Sequence, residues 1–156
     1  MSERGEKARE LFKKGYNCAQ AVLIAFSDVT GYDEKTSAMI ASGFGGGMGR
    51  MREVCGAVSG MFIVYNMLNG YSDPADNEGK MKNYADIQKL ASAFRDENGS
   101  IICKELLGLS KPEGTHIPEK RTEEYYKKRP CGDIVKSAAD ILEEFLNNRA
   151  RKEKNI

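Results

Sequence analysis

No apolar run in the sequence approaches the roughly 18 residues that a membrane-spanning helix needs, so no span is expected. Net charge is nearly absent as well. The 24 Lys and Arg against 23 Asp and Glu leave +1, which gives no electrostatic footprint for nucleic acid or an anionic membrane surface. Histidine is almost missing: the single His116 lies in a proline-flanked loop, where a surface position is expected. The first fifteen residues contain neither an apolar core segment nor a twin-arginine pair, so they do not read as an export signal and the cytoplasm is the expected location.

The most informative absence is a spacing. The four cysteines, Cys18, Cys55, Cys103 and Cys131, stand 37, 48 and 28 positions apart, so there is no C-x-x-C and no zinc-ribbon, thioredoxin or ferredoxin signature. Plain structural disulfides are rare in a reducing compartment. Four cysteines there point to metal, cofactor or thiol redox chemistry.

The remaining pattern is helical. The 156 residues suit one domain with a core over about 15–146 and charged termini. The expected fold is all-α, a compact bundle of about six to seven helices with no sheet. Amphipathic stretches begin near Glu6, at Asn17 with a good N-cap, and at Asp33. Val54–Leu68 is apolar nearly all round and reads as the central helix, although Gly56 and Gly60 interrupt it at about 1 kcal/mol each relative to alanine. That cost implies a backbone or bound group very close by. A long helix over about Ala75–Asp96 has Tyr84, Ile87, Leu90, Ala91 and Phe94 as its inner stripe. Short helices follow near Ile101 and Glu119, with loop from Gly108 to Pro118, and Pro130 opens the last helix. The tail residues Arg149, Arg151, Lys152 and Lys154 read as a solvated, fraying helix end.

On this map each cysteine falls in the first turn of a different helix. Helix N-termini carry unpaired N–H groups and about half a positive charge, which favours thiolate over thiol. If the four first turns converge, the sulfurs form one site: a metal or iron–sulfur centre, or two dithiol pairs. Neighbouring Sγ atoms should then lie near 2.05 Å as disulfides or within roughly 4 Å around a metal. The alternative is four cysteines that merely pack.

The glycine loop before Cys55 is the second element. Gly43, Gly45, Gly46, Gly47 and Gly49 permit positive φ and close approach to a cluster or anion, and Arg50 and Arg52 add positive charge. Gly45, Gly46, Gly47, Gly56 and Gly60 are therefore the candidate cofactor-contacting positions. The loop is not a P-loop, because no Gly-Lys-Ser/Thr follows and no strand precedes it. Met39, Met48, Met51, Met61 and Met67 read as adaptable core packing, and Glu53 is the one acid placed near a cysteine.

These contexts resemble a known family. Gly15-Tyr16-Asn17-Cys18-Ala19-Gln20-Ala21-Val22, Cys55-Gly56-Ala57-Val58-Ser59-Gly60, Gly99 to Gly108 around Cys103, and Cys131 are similar to the bacterial and archaeal C_GCAxxG_C_C family of redox-active proteins, over about Gly15–Leu146. The resemblance implies that the four cysteines act together, with a partner oxidoreductase or electron-transfer protein. Folded export of some relatives implies a prosthetic group such as an iron–sulfur cluster. It supplies no reaction, and composition leaves a homodimer open.

Overall fold

The computed structural model describes residues 3–109 and 115–154. Part of the expected loop from Gly108 to Pro118, residues 110–114, lies outside the described residues. The protein is all-α, as expected: among the described residues there are nine α-helices and no sheet. They are α1 (Glu3–Lys13), α2 (Cys18–Ala25), α3 (Ser27–Thr30), α4 (Glu34–Ala41), α5 (Gly56–Asn69), α6 (Asn77–Asn98), α7 (Cys103–Leu106), α8 (Glu123–Lys128) and α9 (Cys131–Lys154). The count exceeds six to seven because α3 and α7 are single turns. The four residues Gly45–Met48 have helix-like hydrogen bonding, but Gly46 and Gly47 are left-handed, so this segment is a turn rather than an α-helix.

Two close pairings organise the core. α9 lies along α1, α5 lies along α2, and α9 also reaches α2, α5 and α6. Phe12, Val22, Leu23, Val58, Met61, Val64, Leu90, Phe94, Val135 and Leu142 fill the space between them, all essentially shielded from water. The entry of α2 is fixed by a capping box. Asn17 Oδ1 accepts from the Gln20 N–H at 2.8 Å, and Gln20 Oε1 accepts from the Asn17 N–H at 3.0 Å.

The glycines of α5 are explained by its approach to α2. A Cβ on Gly60 would sit 2.8 Å from the Ala19 carbonyl oxygen, and one on Gly56 would sit 2.9 Å from that of Phe44 and 3.1 Å from Cys18 Cβ. Any side chain would push the helices apart and lift the first turn of α5 away from Cys18.

Three expectations are corrected. On α6 the residues Leu90, Ala91 and Phe94 are buried, but Tyr84 is 55% exposed and Asn83 and Asp86 take its place on the inner face. The reason is polar pairing: Asn83 Nδ2 donates to Asn66 Oδ1 at 2.9 Å, and Asp86 accepts from the Tyr65 hydroxyl and, at 2.5 Å, from Arg149 Nη1. The second concerns Arg149, which does not belong to a solvated tail; α9 continues as helix to Lys154, and Arg149 turns inward to Asp86 and Tyr65. Of the methionines expected in the core, Met61 is fully buried and Met67 partly so, whereas Met39 and Met51 are exposed.

Candidate functional site

The four cysteines begin four helices. Cys18, Cys103 and Cys131 are the first residues of α2, α7 and α9, and Cys55 is the N-cap of α5. α5 and α7 are registered by an isolated antiparallel bridge between Val54 and Ile102, in which the Cys55 N–H donates to the Ile101 carbonyl at 2.8 Å and the Cys103 N–H to that of Glu53 at 2.6 Å. This bridge places Cys55 and Cys103 as diagonal neighbours on one face. α2 is held against α5 by the glycine contacts above, and α9 follows directly from Pro130.

All four cysteines line one small cavity of about 50 Å³. Gly46, Gly47 and Gly56 complete its backbone wall, Phe12, Leu106 and Ile134 supply apolar surface, and Arg52, Arg121 and Arg129 supply the charge. Of the five candidate glycines, Gly45 and Gly60 are not in the lining; they press instead on Asn17 and Ala19. Glu53 is exposed and contributes its backbone, not its carboxylate. His116 is exposed, as expected.

The glycine loop is more unusual than the sequence suggests. Left-handed φ runs unbroken from Gly46 (66°) through Gly47 (71°), Met48 (67°), Gly49 (60°) and Arg50 (65°), and returns at Arg52 (59°). Gly43 and Gly45 do not share it. A left-handed conformation costs about 1–2 kcal/mol at each non-glycine residue, so Met48, Arg50 and Arg52 store strain next to the thiols. The turn is closed by the Arg52 N–H donating to the Gly46 carbonyl at 3.2 Å and the Glu53 N–H to that of Gly47 at 2.9 Å. It brings Gly47 so near that a Cβ there would lie 2.5 Å from Cys103 Cβ. Arg52 Nη1 reaches Cys103 Sγ at 3.7 Å.

The four thiols are not equivalent. A hydrogen bond from the Cys18 thiol lowers Cys131 to about 7 against the opposing effect of burial, with help from the charges of Arg129, Arg121 and Arg52. Cys18 is correspondingly pushed well above an ordinary thiol, first by that same hydrogen bond and then by burial and its neighbouring sulfurs. Burial drives Cys55 up to about 12, against backbone N–H donors from Ala57 and Val58. Burial raises Cys103 too, with Arg52 pulling the other way. Cys131 is thus the most readily ionised thiol of the set.

Disulfide or metal spacing of the sulfurs is not found. All four cysteines are free thiols, and among the described residues no three His, Cys, Asp or Glu side chains are grouped to hold a metal ion. Four thiols on one cavity suit an iron–sulfur cluster or a thiolate-bound metal in donor chemistry.

Arg121 and Arg129 were not legible as site residues. Arg129 stands two positions before Cys131, a proximity that could have flagged it, but Arg121 gives no local signal. It arrives by packing: its guanidinium lies 4.4 Å over the Phe12 ring and 4.9 Å over Tyr125, and donates to the carbonyls of Phe12 and Tyr16 at 3.2 Å each.

No curated protein and no solved structure is similar enough to the chain to count as a match. A family model described as "Putative redox-active protein (C_GCAxxG_C_C)" matches residues 16–145, the span that holds all four cysteines, the CGAxxG element and the helices that bring them together. With most of its length matched, the chain belongs to the C_GCAxxG_C_C family.

Proposed function

We propose that this protein is a cytoplasmic single-domain thiol–disulfide redox protein in which Cys131 is the attacking thiolate and Cys18 the resolving thiol. The observation that carries the reading is the cavity that Cys18 and Cys131 share with both remaining thiols and three arginines, where Cys131 is the most readily ionised thiol. Cys131 attacks one sulfur of a disulfide substrate, forming a mixed disulfide and releasing the first substrate thiolate. The Cys131 sulfur is then neutral, so it no longer holds the Cys18 proton; that proton passes to the released thiolate. Cys18 next attacks Cys131 Sγ, and the second substrate thiolate leaves and takes a proton from solvent. Two protein thiols have become one disulfide, and the substrate has gained two electrons and two protons. Cys55 and Cys103 form the second dithiol and re-reduce the first by the same exchange. An oxidoreductase partner then restores the pair.

The test is titration of free thiols after anaerobic purification, with and without oxidant, alongside metal and acid-labile sulfide analysis. Loss of thiols two at a time, with Cys18 and Cys131 joined in the first step and no stoichiometric metal, is the expected result. Iron and sulfide in stoichiometric amount, with an absorption band that bleaches on reduction, would replace this reading by the cluster reading, which four thiols on one cavity also favour.

A further inference from the structure

The cavity lining is one-sided in charge. Among the described residues it holds three arginines, no lysine and no carboxylate, in a chain whose charges otherwise cancel to +1. Glu119 is largely exposed, lies outside that lining and pairs with Arg129. A solvated carboxylate held to a mostly buried guanidinium is an exchangeable counter-ion, because it loses little by returning to water. The cavity's size sets a second limit. At about 50 Å³ it admits about four waters, which is room for a compact group and not for a nucleotide or a folded protein's loop.

From this we infer that the substrate of the thiol site is a small anion bearing the electrophilic sulfur, seated by Arg129 and Arg121 and admitted when Glu119 swings away. The inference rests on the thiol redox reading and specifies its substrate. It answers a physical difficulty: an anion approaching a thiolate is repelled, and the guanidinium groups of Arg121 and Arg129, the latter once Glu119 has left, turn that repulsion into attraction. The remaining exchange is the step already described, with the anion as the disulfide.

Paired alkylating reagents test this on the reduced, full-length protein. Iodoacetate is anionic and iodoacetamide is neutral, and both transfer a two-carbon group to Cys131 with loss of iodide. The iodoacetate-to-iodoacetamide rate ratio at Cys131, mapped by peptide mass, should exceed that of free cysteine about tenfold or more. Phosphate at constant ionic strength should slow the iodoacetate reaction. Arg129→Gln should lower the ratio about fivefold, and Glu119→Gln should raise it by removing the competing carboxylate. If a variant fails to fold, the ratio and phosphate protection in the unaltered protein decide alone. A ratio equal to that of free cysteine, with no phosphate protection and fast iodoacetamide labelling, overturns the anionic substrate and leaves the redox reading standing. No labelling of Cys131 by either reagent removes the reactive thiolate, and overturns both.

Discussion

Two regions of this molecule bury arginine against polar groups, and they do so in opposite ways. Between α5, α6 and α9, Arg149 meets Asp86, and Tyr65 donates to the same carboxylate, so each charge is matched inside the fold. Around the cysteines, Arg52, Arg121 and Arg129 face a cavity with no carboxylate in its described lining. A carboxylate buried with the arginine ties helices together, and guanidinium groups that line a cavity hold a thiolate or receive an anion. The difference separates a latch from a site.

The largest effect should come from breaking the latch. Asp86→Ala takes the buried acceptor from both Tyr65 and Arg149, leaving Arg149 only the Tyr65 hydroxyl and the exposed Glu153, and should cost about 3 kcal/mol in urea unfolding, while the alkylation rate of Cys131 in the folded protein stays unchanged. A coupled loss of thiol reactivity would show that the two regions are not independent.

Gly47→Ala should come next, at about 2–3 kcal/mol, from a left-handed position and a clash with Cys103. It should also alter the reactivity of Cys103. Gly60→Ala, whose Cβ meets the Ala19 carbonyl, should destabilise by about 1–2 kcal/mol without that change, because Gly60 only spaces α5 from α2.

The pH profile of iodoacetamide labelling sharpens the comparison at the thiol end. Cys131 ionises above about 7, so its rate should rise through neutral pH and level off above it, at lower pH than an ordinary thiol. Cys18→Ala removes the donated hydrogen bond and should move the midpoint upward, slowing labelling at neutral pH. Cys55 should show the opposite sign in stability. Its thiol is held protonated in the fold up to about 12, so the stability it contributes is complete below its unfolded value and is lost as pH climbs through the alkaline range. Cys55→Ala should flatten that alkaline loss.

The smallest effect belongs to a surface pair near the site. Lys128 and Glu124 are 2.8 Å apart on α8 with both side chains largely in water, and Lys128→Ala should change stability by less than about 0.5 kcal/mol and leave the iodoacetate ratio intact.

How much of this could be read from the chain varies by residue. Asn17, Asp33 and the stripe through Ala21, Val22 and Ala25 announce their helices because capping and periodicity are local. Asp86 misled the reading of α6: a polar residue on an apolar stripe looks outward until its partners from α5 and α9 are known. The same holds for Arg149, which reads as part of a charged tail and is buried by a contact 63 positions away in sequence.

The sequence by itself determined that the protein is helical and that each cysteine opens a helix. Those are properties of a few consecutive residues: a cap, a glycine, a 3.6-residue stripe. Only the tertiary structure decided that the four openings share one cavity, that three arginines from separate segments face it, and that Cys131 ionises more readily than Cys55. Ionisation follows distance to charge and depth from water, and both are set by residues that packing brings together from far along the chain.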